Sequence, residues 1–372
     1  MIQRDYKDTN FLTSLRAIAI FLVFLIHSGG GGLRELGSFA NSIVDMGKYG
    51  VEIFFVISGY TIFSQFFSEK HSISKFLLIR VARISIPYFP IILIVFVFIG
   101  IGGYQFNYWA IQFNAGKIDL LNLIAHVLYI SPYNLNWQNT IIGIEWTLGI
   151  EVFYYVVLGL LIHMKLLSLR WRSFITFFAI FLLLAFSQRL LTKYLGVDQL
   201  FLHWTPMGYG YMFLFGGFAF FLRTLLATQS ILTISKPLLS DIVLLSLGGV
   251  FMVLPIMSRH VSRSADMNEI SFVLGTFLVV TFFSNTSTLA RILNNNILTF
   301  FGSISYSFYL IHYIVIMNLP KFGHSTLDFL MQLVCTTLVS FTWYYIFEKI
   351  IYGRVKMNIK KMNIKKVRQS NS

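Results

Sequence analysis

The chain has 372 residues, 56% hydrophobic and only 12% charged, where soluble domains carry about 25% charged residues. Long apolar runs exclude a soluble globular domain, and the lack of short alternating segments excludes a β-barrel, so the expected class is an all-α polytopic integral membrane protein. The net charge of +14 would suggest nucleic acid in a soluble protein, but here the positives sit beside apolar runs and in the tail, so membrane lipids and no nucleic acid are the expected partners.

The opening MIQRDYKDTN lacks a cleavable-signal pattern, so the first apolar run is expected to persist as a helix. That run, Phe11–Ser28, carries Arg16 and His27 eleven positions apart. Three helical turns place both on one face, roughly 16 Å apart along the axis. Ionisable groups on a spanning helix face a protein interior or a wet cavity. Further spans are expected at 50–68, 84–103, 141–164, 174–191, 207–222, 238–257, 269–285, 298–318 and 326–347, about ten in all. The run 119–131 is short for a span and reads as re-entrant or interfacial. Residues 1–348 form one transmembrane domain, and 349–372 a basic tail. With the N-terminus inside, most of the 29 basic residues fall on the inner side, so both termini are expected in the cytoplasm. The single cysteine, Cys335, excludes an internal disulfide and a cysteine-rich metal site, and no metal is expected.

This topology assigns depths. Arg16, Arg80 and Arg83 lie near the inner face, with Arg80 and Arg83 preceding the third span. His27, Glu52, Glu145, Glu151 and His312 lie toward the outer face, with Tyr306 and Tyr309 below His312. Each has a plainer reading. Arg80 and Arg83 also suit positive-inside anchors. Glu52 also suits a helix N-terminus, and His312 a core histidine bonded to a carbonyl. Glu151 is harder to dismiss, because an unpaired carboxylate in an apolar helix is costly. Trp146 and Trp343 suit an interfacial belt.

Four blocks of sequence carry a resemblance. SLRAIAIFLVFLIHS holds Arg16 and His27, GVEIFFVISGY spans Gly50–Tyr60, IRVARISIPY spans Ile79–Tyr88, and EWTLGIEVFYY spans Glu145–Tyr155. Weaker echoes are GSISYSFYLIHY (Gly302–Tyr313) and FEK (Phe347–Lys349). In order and spacing these resemble membrane acyltransferase family 3, the group of surface-polysaccharide O-acyltransferases that includes O-antigen acetylases. Departures are Thr13-Ser14 where the family has Asp-Gly, Thr147 for a serine, and Ile350 for a proline. The resemblance implies a multi-pass protein of the bacterial inner membrane. It implies acyl-CoA, usually acetyl-CoA, as a co-substrate and not a permanently bound cofactor, and a glycan hydroxyl, possibly lipid-linked, as acceptor. On that reading Arg16, Arg80 and Arg83 bind the phosphates of coenzyme A, and His27 is the general base. Glu151 or Glu52 orients its imidazole, and His312, Tyr306 and Trp146 contact the acceptor. The rival reading is a proton-coupled transporter or exporter of a glycan or small molecule, since intramembrane His and Glu also form proton relays. No inverted repeat of the hydropathy pattern supports it.

Overall fold

The structure is a computed structural model describing residues 10–69, 71–102, 118–228, 241–257, 267–283, 287–359 and 361. Among the described residues it is helical, without strands. The principal helices are α1 (Phe11–His27), α2 (Ser38–Asp45), α3 (Gly50–Phe67), α4 (Ile73–Gly102), α5 (Leu120–Val127), α6 (Trp146–His163) and α7 (Trp171–Leu195). They continue with α8 (Gly210–Thr228), α9 (Gly249–Met257), α10 (Met267–Phe282), α11 (Asn296–Ser303), α12 (Ser305–Asn318) and α13 (Ser325–Trp343).

The expected ten spans are corrected by helix length. Among the described residues, five helices are long and apolar enough to cross a membrane: Ser38–Phe67, Ile73–Phe98, Trp146–His163, Trp171–Leu195 and Ser325–Ile359. The pair α11 and α12, bent by 74°, makes a sixth if counted as one span. Four other expected spans are apolar helices of 10–17 residues: Phe11–His27, Gly210–Leu226, Ser246–Pro255 and Met267–Phe282. Crossing the hydrocarbon takes about 20 residues at 1.5 Å each. In α1 the stop is written in the sequence: Gly29, Gly30, Gly31 and Gly32 all take positive φ, between 59° and 90°, where only glycine sits without strain. The run 119–131 holds only the eight-residue α5 and a short 3-10 turn at Ser131–Tyr133.

Other boundaries also move. α4 begins at Ile73, not near 84, because Ser72 bonds the Lys75 N–H and nothing breaks the helix before Pro87. Arg80 and Arg83 therefore lie inside that helix. α6 begins at Trp146, and the residues from 139 form a loop folded onto Glu145. The last helix runs through position 348 without a break, as a π-helical stretch Tyr344–Tyr352. The basic residues at 4, 7, 70, 117, 236, 259, 263, 360, 365, 366 and 368 lie outside the described residues.

Backbone contact holds the centre of the bundle. A Cβ on Gly59 of α3 would stand 1.9 Å from the Phe213 carbonyl oxygen, and one on Gly216 of α8 1.9 Å from that of Val56. Small residues let helices approach this closely in membranes. Likewise a Cβ on Gly302 would stand 1.9 Å from the Thr13 oxygen, fixing α11 on α1. Gly59→Ala is expected to destabilise the protein by about 1–3 kcal/mol, the range for overpacking, read as a lowered melting temperature in detergent. An unchanged melt would mean that α3 and α8 do not touch here.

Candidate functional site

Helices α1, α3, α4, α6 and α12 enclose a cavity with about 690 Å³ of empty space, including its open mouth. Its walls include Arg16, Arg80, Arg83, Glu151, Ser58, Tyr155, Tyr306 and Tyr309. The three arginines proposed from sequence are thus brought together. Arg80 is buried, donates from Nε to Gln65 Oε1 at 2.8 Å, and lies 5.4 Å from the Tyr155 ring centroid. Arg16 and Arg83 make no hydrogen bond or ion pair to another described residue. Two guanidinium forks therefore remain available to a polyanion.

The carboxylates differ from expectation. Glu151 lies in the arginine cavity, where its Oε1 accepts from the Ser58 and Tyr155 hydroxyls. It does not orient His27. Glu52 is also elsewhere: it is buried on α3, and its charged neighbours are Glu269 and Lys48. Neither carboxylate bonds the imidazole, because His312 already occupies its Nδ1.

The histidines define each other's tautomers. His312 Nδ1 lies 2.7 Å from the Tyr309 carbonyl oxygen. A carbonyl only accepts, so that nitrogen carries the hydrogen. In the neutral ring, His312 Nε2 is then an acceptor, and it lies 2.9 Å from His27 Nδ1. His27 donates from Nδ1 and keeps a lone pair on Nε2. The rings lie 5.1 Å apart with an interplanar angle of 26°. His312 is fully buried, whereas His27 is exposed at the end of α1. This is a base facing outward with a buried partner behind it.

The three acceptor-contact candidates separate. His312 is the partner of His27 and not a surface for substrate. Tyr306 lines the arginine cavity and donates to the Ile84 carbonyl at 2.8 Å, one turn before Pro87 in α4. Trp146 packs against His203 and Tyr209 at 5.5 and 5.6 Å, outside the cavity lining.

Tyr309 joins the two centres. Its ring lines the cavity, its hydroxyl contacts Thr147 Oγ1 at 2.8 Å and Ile144 O at 2.9 Å, and its carbonyl holds His312. The cavity ends at Tyr309 and Thr147, and neither His27 nor His312 lines it. The sequence reading missed Ser58, Tyr155 and Glu348. Tyr155 was findable, one helical turn from Glu151. Glu348 lies in the FEK echo, but its partner was not findable: on the π stretch Tyr344–Tyr352 it accepts the N–H and hydroxyl of Ser307 at 3.1 and 2.5 Å.

The chain matches one family by sequence. The family is described as an acyltransferase domain, and the match covers residues 9–349. No curated protein and no solved structure matches it.

Proposed function

The chain belongs to acyltransferase family 3, and from that premise we propose that it moves an acyl group, by preference acetyl, from cytoplasmic acyl-CoA to a hydroxyl of a cell-surface or lipid-linked glycan. The observation that carries this reading is a single helix, α1, with Arg16 in a cationic cavity and an outward-facing imidazole base at its far end.

Coenzyme A is polyanionic, and Arg16, Arg80 and Arg83 bind its phosphates at the inner mouth of the cavity. Glu151 keeps the three cations from repelling one another while the cavity is empty. The thin pantetheine arm runs toward Thr147 and Tyr309, and parting of their hydroxyl contact admits the thioester to the histidines. An acceptor hydroxyl approaches the exposed His27. His27 Nε2 takes the hydroxyl proton as the oxygen attacks the thioester carbonyl carbon. The new O–C bond forms, the C–S bond breaks, and sulfur leaves with the electron pair. His312 stabilises the imidazolium on His27 through the Nδ1–H···Nε2 hydrogen bond, the place a carboxylate holds in hydrolase triads.

The test uses inverted vesicles containing the full chain, with acetyl-CoA labelled in the acetyl group and glycan from the same cells. Label is expected to pass into an alkali-labile glycan ester. Folded protein that leaves all label on coenzyme A would defeat the reading, and a transporter or exporter would give that result.

A further inference from the structure

Helix α13 is inverted relative to a soluble helix. Its buried side chains are Gln332, Thr336 and Ser340, all polar, while Leu330, Val334 and Leu338 point outward. The three are spaced four apart and share one face, covering about 12 Å of helix. That face is turned toward the bundle, where α13 packs on α12, the helix of His312 and Ser307. Gln332 Oε1, Thr336 Oγ1 and Ser340 Oγ are each buried without a hydrogen-bond partner among the described residues. One unmatched buried polar atom costs about 1–3 kcal/mol. Three in a row on one face point to a ligand that supplies hydrogen bonds, and water suits a polar stripe of this kind.

The two ends of the stripe fix what such water would connect. The start of α13 touches the turn after His27: Thr326 Oγ1 donates to Gly31 O at 3.3 Å, and the Phe329 ring lies 5.3 Å from that of Phe24. At the other end, the same continuous helix carries Glu348, bonded to Ser307 and beside Arg83 of the arginine cavity. We propose that Gln332, Thr336 and Ser340 line a file of water that carries protons between the histidine pair and Glu348.

This rests on the acyl-transfer reading, which supplies the proton and its destination. The proton that His27 takes from the acceptor hydroxyl must reach the departing thiolate, giving free coenzyme A as a thiol. The water file moves it along α13 to Glu348, which bonds Ser307 beside Arg83, and the thiolate, withdrawn with its pantetheine arm toward the arginines, takes the proton there. His27 is thereby returned to its neutral form, and no other reactant is consumed.

Two measurements test it. In a Cys335→Ser background, Thr336→Cys and Ser340→Cys are each exposed to a small water-soluble methanethiosulfonate, with lipid-facing Leu338→Cys as control. Labelling of 336 and 340 but not 338 is expected. No labelling at 336 and 340 would overturn the proposal whether or not the chain transfers acyl groups. Second, Thr336→Val with Ser340→Ala is expected to lower kcat about 10²-fold, the lower end of proton-transfer contributions. KM for acyl-CoA should hold, the solvent isotope effect on kcat should rise, and Thr336→Ser should restore the rate. Removing unmatched polar atoms should leave the folded yield equal or higher, the reverse of what a structural role for them predicts. Wild-type kcat and isotope effect in the double variant would overturn the path while leaving acyl transfer itself intact. Absence of ester from the wild-type chain would instead remove the acyl-transfer reading and the proton's destination with it.

Discussion

His27→Ala is expected to lower acyl transfer by about 10²–10⁴-fold, the span attributed to a positioned general base, while membranes hold as much folded protein as wild type. His27 is exposed at the helix end, so truncating it leaves little cavity. The same exposure gives a second readout: free imidazole should restore part of the lost rate. His312→Phe separates the two rings. It keeps an aromatic ring of similar size beside Phe308 and Tyr309 but removes the acceptor for His27 Nδ1–H. His27 then has no fixed tautomer, and a wrong tautomer costs up to about 10⁴-fold in a serine-protease triad. His312→Phe should therefore lower kcat with little change in KM for acyl-CoA. Wild-type turnover in His27→Ala would remove the base assignment. Wild-type turnover in His312→Phe would leave His27 as base and remove its partner.

Pairing across the bundle was the part that sequence could not supply. Helical periodicity on α1 already put Arg16 and His27 on one face, and hydropathy already put the protein among helical membrane chains. Periodicity is a local signal, carried by side chains a few residues apart. The bond from His27 to His312 links positions 285 apart, and nothing local favours a histidine over a glutamate as partner. Glu151 was read as an outer carboxylate because depth was counted from span order. In the structure it lines one cavity with Arg16, Arg80 and Arg83. Apolar content located the helices but not which of them are long enough to cross, and it does not reveal that the 298–318 run folds by 74° between Ser303 and Ser305. For Glu348, marked by the FEK echo, it was the bond to Ser307 that stayed hidden, since it is made from a π stretch, which widens the turn and redirects a side chain.

The second large effect concerns a carboxylate with no part in the chemistry. Glu145 is 2% exposed. Its Oε1 accepts the N–H groups of Ile141 and Ile142 at 2.8 and 3.0 Å, and its Oε2 those of Gly143 and Ile144 at 2.6 and 2.8 Å. His126 Nε2 lies 3.0 Å from Oε1. Glu145→Gln would aim an amide NH₂ at backbone donors, leave the rest unmatched, and uncouple His126. Each buried N–H left without an acceptor costs about 1–3 kcal/mol, and the pair facing the amide NH₂ is left so, a large share of the whole stability of a typical domain. A collapse of folded yield is therefore expected, and activity should disappear with it, because this loop launches α6 and so places Glu151. Glu151→Gln is the contrast: its carboxamide oxygen still accepts from Ser58 and Tyr155, so folded protein should persist, and the stability lost by leaving Arg16, Arg80 and Arg83 without a carboxylate should return when acyl-CoA is added. The pH dependence follows the same logic. Burial acts to raise the Glu145 carboxyl, but the hydrogen bond and charge of His126 and the backbone N–H groups outweigh it and hold the carboxyl below its ordinary 4.5. Its stabilisation is thus complete above that value and is lost as pH falls through the lower folded value. The wild-type melting temperature should therefore fall as pH drops below 4.5, and a folded yield of Glu145→Gln equal to wild type would show that the loop does not depend on this carboxylate.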